Sequence, residues 1–166
     1  FILYWPALIQ SKYVKEALHI GEKTVEITPT NQLGLDERSY QQEEQKIPQL
    51  MSKDYRQIHF GRIYGTRSGD KGGCANLGVW AKTEKAFAFL YHFLTVDRLK
   101  QLLPDMANFP IDRYELANIK SLNFYIHGIL QDGVSSNTRT DAQAKSLGEY
   151  LRAKLVDVPV EIIEEL

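Results

Sequence analysis

CANLGVWAKTEKAFAFLYHFLTVDRLKQLL, residues 74–103, holds the change of period on which the fold turns. From Cys74 to Ala81 the chain is small and apolar, with Leu77, Val79 and Ala81 on one side of a two-residue alternation, which predicts a strand. The spacing then becomes helical: Ala86, Phe87, Leu90, Phe93 and Leu94 share one stripe. After Thr95, placed as an N-cap, Val96, Leu99, Leu102 and Leu103 continue it until Pro104 stops the run. One broken helix or two consecutive ones fit this pattern, and Phe87, Phe89, Tyr91 and Phe93 read as core.

Upstream, Ile58 and Phe60 alternate with Gln57 and His59, predicting a strand to about Gly65 with a bulge at Gly61, followed by a glycine-rich turn from Arg67 to Gly73. Downstream, Arg113 to Leu116 and Leu122 to His127 form a strand pair. In the second of these Leu122, Phe124 and Ile126 face one way and Asn123, Tyr125 and His127 the other. Thr140-Asp141-Ala142-Gln143 has the form of a capping box, so a second helix is expected to start there, with its stripe at Ala144, Leu147, Leu151 and Leu155. Val156, Val158, Val160 and Ile162 alternate as a last strand, in which Pro159 argues for an edge position or an outward-facing amide site. The series β, β, α, β, β, α, β gives an α+β class. Its architecture is a ferredoxin-like antiparallel sheet with two helices on one face and an extra N-terminal hairpin strand.

The 166 residues leave room for one domain of ordinary size, or for a small domain plus the end of something larger. The chain opens at Phe1 without a methionine and is abruptly hydrophobic, which reads as a cut end. Residues 1–28 are expected to be the tail of a missing upstream domain. Residues 29–54, rich in Gln and Glu and almost free of apolar periodicity, are read as a linker, and 55–166 as the ferredoxin-like domain.

Twenty basic and 21 acidic side chains leave a net charge of −1, without the basic footprint that a phosphate polymer demands, so nucleic acid is not an expected partner. No apolar run approaches the ~18 residues that span a bilayer, and FILYWPALIQ lacks the flanks of a signal peptide. The expectation is a cytoplasmic protein with no membrane partner. The single Cys74 excludes an intrachain disulfide and a cysteine-based zinc cluster, and the histidines at 19, 59, 92 and 127 share no ligand spacing. No metal and no cofactor is expected.

Three segments carry candidate chemistry. In Gly65-Thr66-Arg67-Ser68-Gly69-Asp70-Lys71-Gly72-Gly73, four glycines free backbone amides to converge while Arg67 and Lys71 add positive charge, the makings of an anion nest. The glycine-to-lysine spacing is one short of a P-loop. Ser68-Gly69-Asp70-Lys71 matches the S-x-x-K string of acyl-serine enzymes but lacks the helix start and companion motifs. A hairpin whose charges pair with neighbours is the alternative. In the second segment, Gly133 to Asp141, Arg139 stands beside an expected helix N-terminus that suits an anion, with simple capping as the alternative. In the third, Asn123, Tyr125 and His127 share a strand face and are interface candidates, although a lone histidine there is more often structural. Cys74, flanked by Gly73 and Ala75, reads as a small core residue.

At Arg67-Ser-Gly-Asp-Lys-Gly72 and Ala75-Asn-Leu-Gly-Val79, the chain resembles the C-terminal domain of the acyclic terpene utilisation (AtuA) family. The likeness continues through Phe93-Leu-Thr-Val-Asp-Arg-Leu99, Leu122-Asn-Phe124 and Thr138-Arg-Thr-Asp-Ala-Gln-Ala-Lys145, over about residues 56 to 163. The resemblance implies a ferredoxin-like domain that follows a much larger one, in the catabolism of acyclic terpenes such as citronellol and geraniol through branched acyl-CoA esters. It carries over no catalytic residue.

The resulting expectation is a domain that binds an anionic ligand, an acyl-CoA phosphate or carboxylate, through Arg67, Ser68, Gly69, Asp70, Lys71, Gly72, Asn76 and Arg139. The alternative is a non-catalytic assembly module docking the upstream domain or a partner subunit. A homo-oligomer is expected, and this fragment alone is not expected to be an enzyme.

Overall fold

A computed structural model describes residues 7–27, 46–50 and 52–165. The apolar cluster at Phe1 to Trp5 and most of the stretch read as a linker lie outside the described residues. The chain divides into two compact units, residues 1–44 and 45–166.

In the first unit β1 (Glu16–Ile20) and β2 (Lys23–Ile27) form an antiparallel hairpin turning at Gly21, whose φ of 58° suits a residue without a Cβ. All ten strand residues are exposed.

In the second unit β3 (Tyr55–His59) gives way to a 3-10 turn at Phe60–Arg62 rather than running on to Gly65. Its antiparallel partner is β8 (Leu155–Pro159), the two making a small sheet of their own. Between them come β4 (Gly65–Lys71), β5 (Cys74–Trp80), α1 (Glu84–Phe93), α2 (Val96–Leu102), β6 (Ile111–Leu116), β7 (Ser121–Ile126) and α3 (Leu147–Arg152). A last helical turn, α4 (Val160–Ile163), takes Val160 and Ile162 out of the expected strand.

The main sheet is antiparallel with order β4-β5-β7-β6. β5 and β6 both pair with β7, so the α1–α2 crossover connects two strands with a third between them, the split βαβ of a ferredoxin-like fold. The extra hairpin strand β4 occupies the sheet edge beside β5, and β8 pairs with β3 instead of joining the main sheet.

The helical stripe resolves into two helices, each capped as Ser and Thr side chains cap. Thr83 Oγ1 accepts the N–H of Ala86 at 3.2 Å and Thr95 Oγ1 that of Arg98 at 3.1 Å. At the other end of α1, Arg113 of β6 donates through Nη2 to the Tyr91 carbonyl at 2.7 Å and through Nε to the Leu94 carbonyl at 3.2 Å. A cation thus meets the negative end of the helix dipole. One hydrophobic cluster joins Ala75, Leu77 and Val79 of β5, Leu122, Phe124 and Ile126 of β7, Phe87 and Leu90 of α1, Leu99 of α2 and Leu147 and Leu151 of α3. Ile47 and Leu50, inside the stretch read as a linker, pack against that cluster. Among the described residues no helix is long and apolar enough to cross a membrane.

Two further local expectations fail for identifiable reasons. The glycine-rich turn is a strand as far as Lys71, because each residue from Gly65 to Lys71 has a partner in β5; only Gly72 and Gly73 turn, Gly72 at φ 64°. The helix expected at Thr140 starts at Leu147, because Ala144 adopts φ 54° and no helix passes through a left-handed residue. The Asp141 carboxylate satisfies the amides released there, accepting from Lys145 N at 2.8 Å and Ser146 N at 2.9 Å.

Candidate functional site

The register of the main sheet sorts the motif residues by face. Ser68 stands opposite Leu77, and Thr66 opposite Val79, so Thr66, Ser68 and Asp70 belong to the side carrying the apolar cluster. The intervening residues belong to the other, polar side. One row across the four strands there runs Arg67, Gly78, Asn123, Tyr114, and the next runs Gly69, Asn76, Tyr125, Asp112. The two candidate groups read separately from the sequence, the Arg67 string and the Asn123, Tyr125, His127 face, are therefore one surface.

Gly78 lies between Arg67 and Asn123, and a Cβ there would stand 3.6 Å from the Arg67 carbonyl and 3.9 Å from Asn123 Oδ1. The row thus has a floor without a side chain. Asn76 Nδ2 donates to Asn123 Oδ1 at 3.3 Å, which leaves the Asn123 amide nitrogen free to donate. Gly69 is buried although it lies on an edge strand, because the Lys145 side chain lies over it: a Cβ on Gly69 would be 3.2 Å from Lys145 Nζ. Among the described residues neither Lys145 Nζ nor the Arg67 guanidinium has an anionic partner.

Ser68 is 7% exposed; its hydroxyl donates to the Lys145 carbonyl at 3.2 Å and accepts the Gly148 N–H at 3.0 Å. Both its proton and a lone pair are engaged in these two bonds. Lys71 donates to the carbonyl of Asp70 at 3.0 Å, and Gly72 is the turn itself. Arg139 belongs to a loop anchored at the β4–β5 turn and on β4. At one end Leu130 N donates to the Gly73 carbonyl at 2.9 Å, and at the other Lys145 meets Ser68. The Arg139 backbone N–H donates to Asn137 Oδ1 at 3.1 Å, and its side chain forms no hydrogen bond to the other candidates.

The far end of the polar face holds a connected group. His127 Nε2 lies 2.7 Å from Asp112 Oδ2, and its ring meets Tyr125 edge-on at 4.9 Å between centroids. A hydrogen bond to the Cys74 sulfur, with the phenol's partial desolvation, holds the Tyr125 hydroxyl above its ordinary pKa. The Gly128 N–H also approaches that sulfur, at 3.4 Å. Cys74 faces these polar groups rather than the core. Among the described residues no cluster of three or more His, Cys, Asp or Glu side chains could hold a metal ion.

A family model of the AtuA ferredoxin-like domain matches residues 58–157, more than half of the chain. The chain belongs to that family. The match begins within β3 and ends within β8, so this AtuA ferredoxin-like domain includes the whole main sheet and both loops that border β4. No curated protein and no solved structure matches the chain.

Lys145 and Asp112 escaped the sequence reading as site residues. Asp112 meets His127 only through the β6–β7 register, and Lys145 reaches Gly69 only because the loop after Gly133 returns along β4. Neither arrangement leaves a local spacing to read.

Proposed function

We propose that this chain is the C-terminal portion of an acyclic terpene utilisation protein, acting in the catabolism of acyclic terpenes and branched acyl-CoA esters. Its ferredoxin-like domain binds the anionic part of such an ester, a phosphate or carboxylate, on the polar face of the main sheet. The observation that carries this reading is the placement of Arg67 and the Lys145 ammonium, without anionic partners among the described residues, beside a floor made by Gly69 and Gly78 and next to the Asn76–Asn123 amide pair. Guanidinium, ammonium and amide donors on one open surface suit an oxyanion, and charge-assisted hydrogen bonds of this kind contribute about 1.5–3 kcal/mol each.

Thermal unfolding with inorganic phosphate, free CoA, isovaleryl-CoA and geranyl-CoA tests this. A ligand present at about 100 times its Kd stabilises by ~2.7 kcal/mol, a rise of roughly 5–10 °C in Tm for a chain of this size. The rise is expected with the CoA esters and is expected to vanish in Arg67→Ala and Lys145→Ala. If none of the four compounds shifts Tm, ligand recognition does not reside on this face.

A second reading is favoured by the row at the end of the same face, Gly65, Trp80, Ser121, Leu116, where Trp80 is 41% and Leu116 38% exposed. Here the face docks the upstream domain of the same protein, without catalysis. Tyr125→Ala would then abolish the association of the separately produced domains while leaving CoA binding unchanged.

A further inference from the structure

Away from the main sheet, Arg56 to His59 of β3, together with Arg62, Leu155 and Ile163, line an open hollow of about 410 Å³. That size falls within the ~300–1,000 Å³ of small-molecule sites. The ladder register shows where it lies. Arg56 and Ile58 stand opposite Val158 and Val156, which are buried, whereas Gln57 and His59 stand opposite Asp157 and Leu155. Successive strand residues project to opposite sides of a sheet, so the hollow draws on both sides of β3 and follows the edge that β8 leaves free.

The backbone agrees with this placement. Just beyond the two ends of β8, the Phe60 N–H donates to the Lys154 carbonyl at 2.8 Å and the Val160 N–H to the Asp54 carbonyl at 3.1 Å. Bonding alternates along an antiparallel pair, so Arg56 and Ile58 also bond toward β8, and the amides of Tyr55, Gln57 and His59 face the free edge.

The lining is cationic and apolar at once. Among the described residues the guanidinium groups of Arg56 and Arg62 have no ion-pair or hydrogen-bond partner, and Asp157, opposite Gln57, pairs with neither. His59 Nδ1 donates to the Ala153 carbonyl at 3.0 Å, which fixes the ring. Ile58 and Ile163 are partly buried against the core cluster, and Leu155 is 52% exposed.

We propose that this hollow binds an aliphatic carboxylate. Arg56 and Arg62 hold the carboxylate, which their planar forks match, and the Gln57 N–H adds a neutral donor. The aliphatic chain lies against Ile58, Leu155 and Ile163. Both halves of the lining select this class: a bare anion would leave the apolar atoms in water, and an uncharged chain would desolvate the guanidinium groups without pairing them. The site shares no residue with the polar face of the main sheet and is independent of ligand binding there.

Two-dimensional 1H–15N NMR of the whole chain, titrated separately with octanoate, acetate and octan-1-ol, tests this. Octanoate is expected to give saturable shifts centred on Gln57, His59, Arg62 and Ile163, and to bind about tenfold or more tightly than either of the other two. Arg56→Gln and Arg62→Gln should each weaken octanoate about tenfold, the share of one charge-assisted contact, and both replace exposed side chains, so the remaining spectrum should stay that of the folded chain. Leu155→Ser should weaken octanoate and leave the response to acetate unchanged. Absence of a saturable octanoate shift overturns the proposal. So does octan-1-ol binding as tightly as octanoate, octanoate binding that tolerates both arginine substitutions, or shifts confined to the rows of Arg67 and Asn76.

Discussion

The hydroxyl of Ser68, in the middle of an edge strand, accepts the backbone N–H of Gly148 in the first turn of α3 at 3.0 Å. The helix's own N-cap residue, Ser146, makes no side-chain cap, so the strand supplies what the helix lacks. The same alternation that turns Ser68 inward to this amide turns Arg67 and Gly69 outward to the polar face. Five consecutive residues, Arg67 to Lys71, therefore split into a fastening side and a presenting side.

Replacing Ser68 by alanine takes away the partner of the buried Gly148 N–H and that of the Lys145 carbonyl. A loss of about 1–3 kcal/mol follows from burying unsatisfied groups of this kind, or roughly 3–10 °C in Tm. Calorimetry of Ser68→Ala measures it. An unchanged Tm would mean that the hydroxyl does not fasten α3. A serine-directed phosphonate reagent is expected to leave the wild-type residue unlabelled, and stoichiometric labelling would reinstate it as a nucleophile.

Gly69→Ala separates binding from stability. The added methyl would meet Lys145 Nζ at 3.2 Å, the movable end of a long side chain, and Asn76 Oδ1 at 4.0 Å. The ammonium is displaced and the fold is not, so stability should change by less than about 1 kcal/mol. Affinity for an anionic ligand should fall about tenfold or more, the share of one charge-assisted contact. Isothermal titration with the CoA ester that gives the largest thermal shift checks this, and undiminished affinity would remove Lys145 from the site.

Gly73 and Gly72 sit side by side in the β4–β5 turn yet should respond differently to alanine. A Cβ on Gly73 would lie 2.1 Å from the Gln131 carbonyl oxygen, a backbone atom that cannot step aside without moving the loop. Gly72 has open space around it but a φ of 64°, a strain of ~1–2 kcal/mol for a residue with a side chain. Gly73→Ala should cost about 2–3 kcal/mol. Urea unfolding midpoints rank the two, and a Gly73→Ala midpoint above that of Gly72→Ala would contradict the close approach of loop and hairpin.

These sites also show where the sequence speaks and where it is silent. β5, β7 and the stripe from Ala86 to Leu103 were legible because one side of each is apolar at the right period, and Thr95 stood where a cap belongs. β4 was not, because its core-side residues are Thr66, Ser68 and Asp70 and carry no apolar alternation; that side meets the backbone of α3 and its entry loop, where hydrogen-bonding groups are wanted. The start of α3 was misplaced because Thr140 to Gln143 satisfies the local capping rule, while the left-handed Ala144 is imposed by the loop's return to Ser68. Of the polar face, residue types were readable and their neighbours were not: Asn76 to Asn123, His127 to Asp112 and Gly69 to Lys145 are contacts between strands or across a loop.

Alkaline pH should destabilise the domain through its buried tyrosine. Tyr64 is almost fully buried, its hydroxyl donates to the Ala86 carbonyl at 3.1 Å, and burial raises the phenol well above its ordinary pKa of 10.0. The sign follows from proton counting. Above that ordinary value the unfolded chain gives up the Tyr64 proton while the folded chain retains it, so the unfolded state binds fewer protons and stability falls as pH rises. Below it both states hold the proton and the slope from this group is zero. The limiting slope is about 1.4 kcal/mol per pH unit for one such group. Tyr91, bonded to Glu115, and Tyr125, bonded to Cys74, are raised as well, but both are less buried and add less. Tyr64→Phe should cost about 1 kcal/mol at neutral pH for the lost hydrogen bond and should flatten the alkaline decline. Urea unfolding of the two proteins at a series of pH values on both sides of ~10 compares the slopes. Parallel slopes would mean that Tyr64 ionises as readily in the folded domain as in the unfolded chain, and that its contact with α1 admits water.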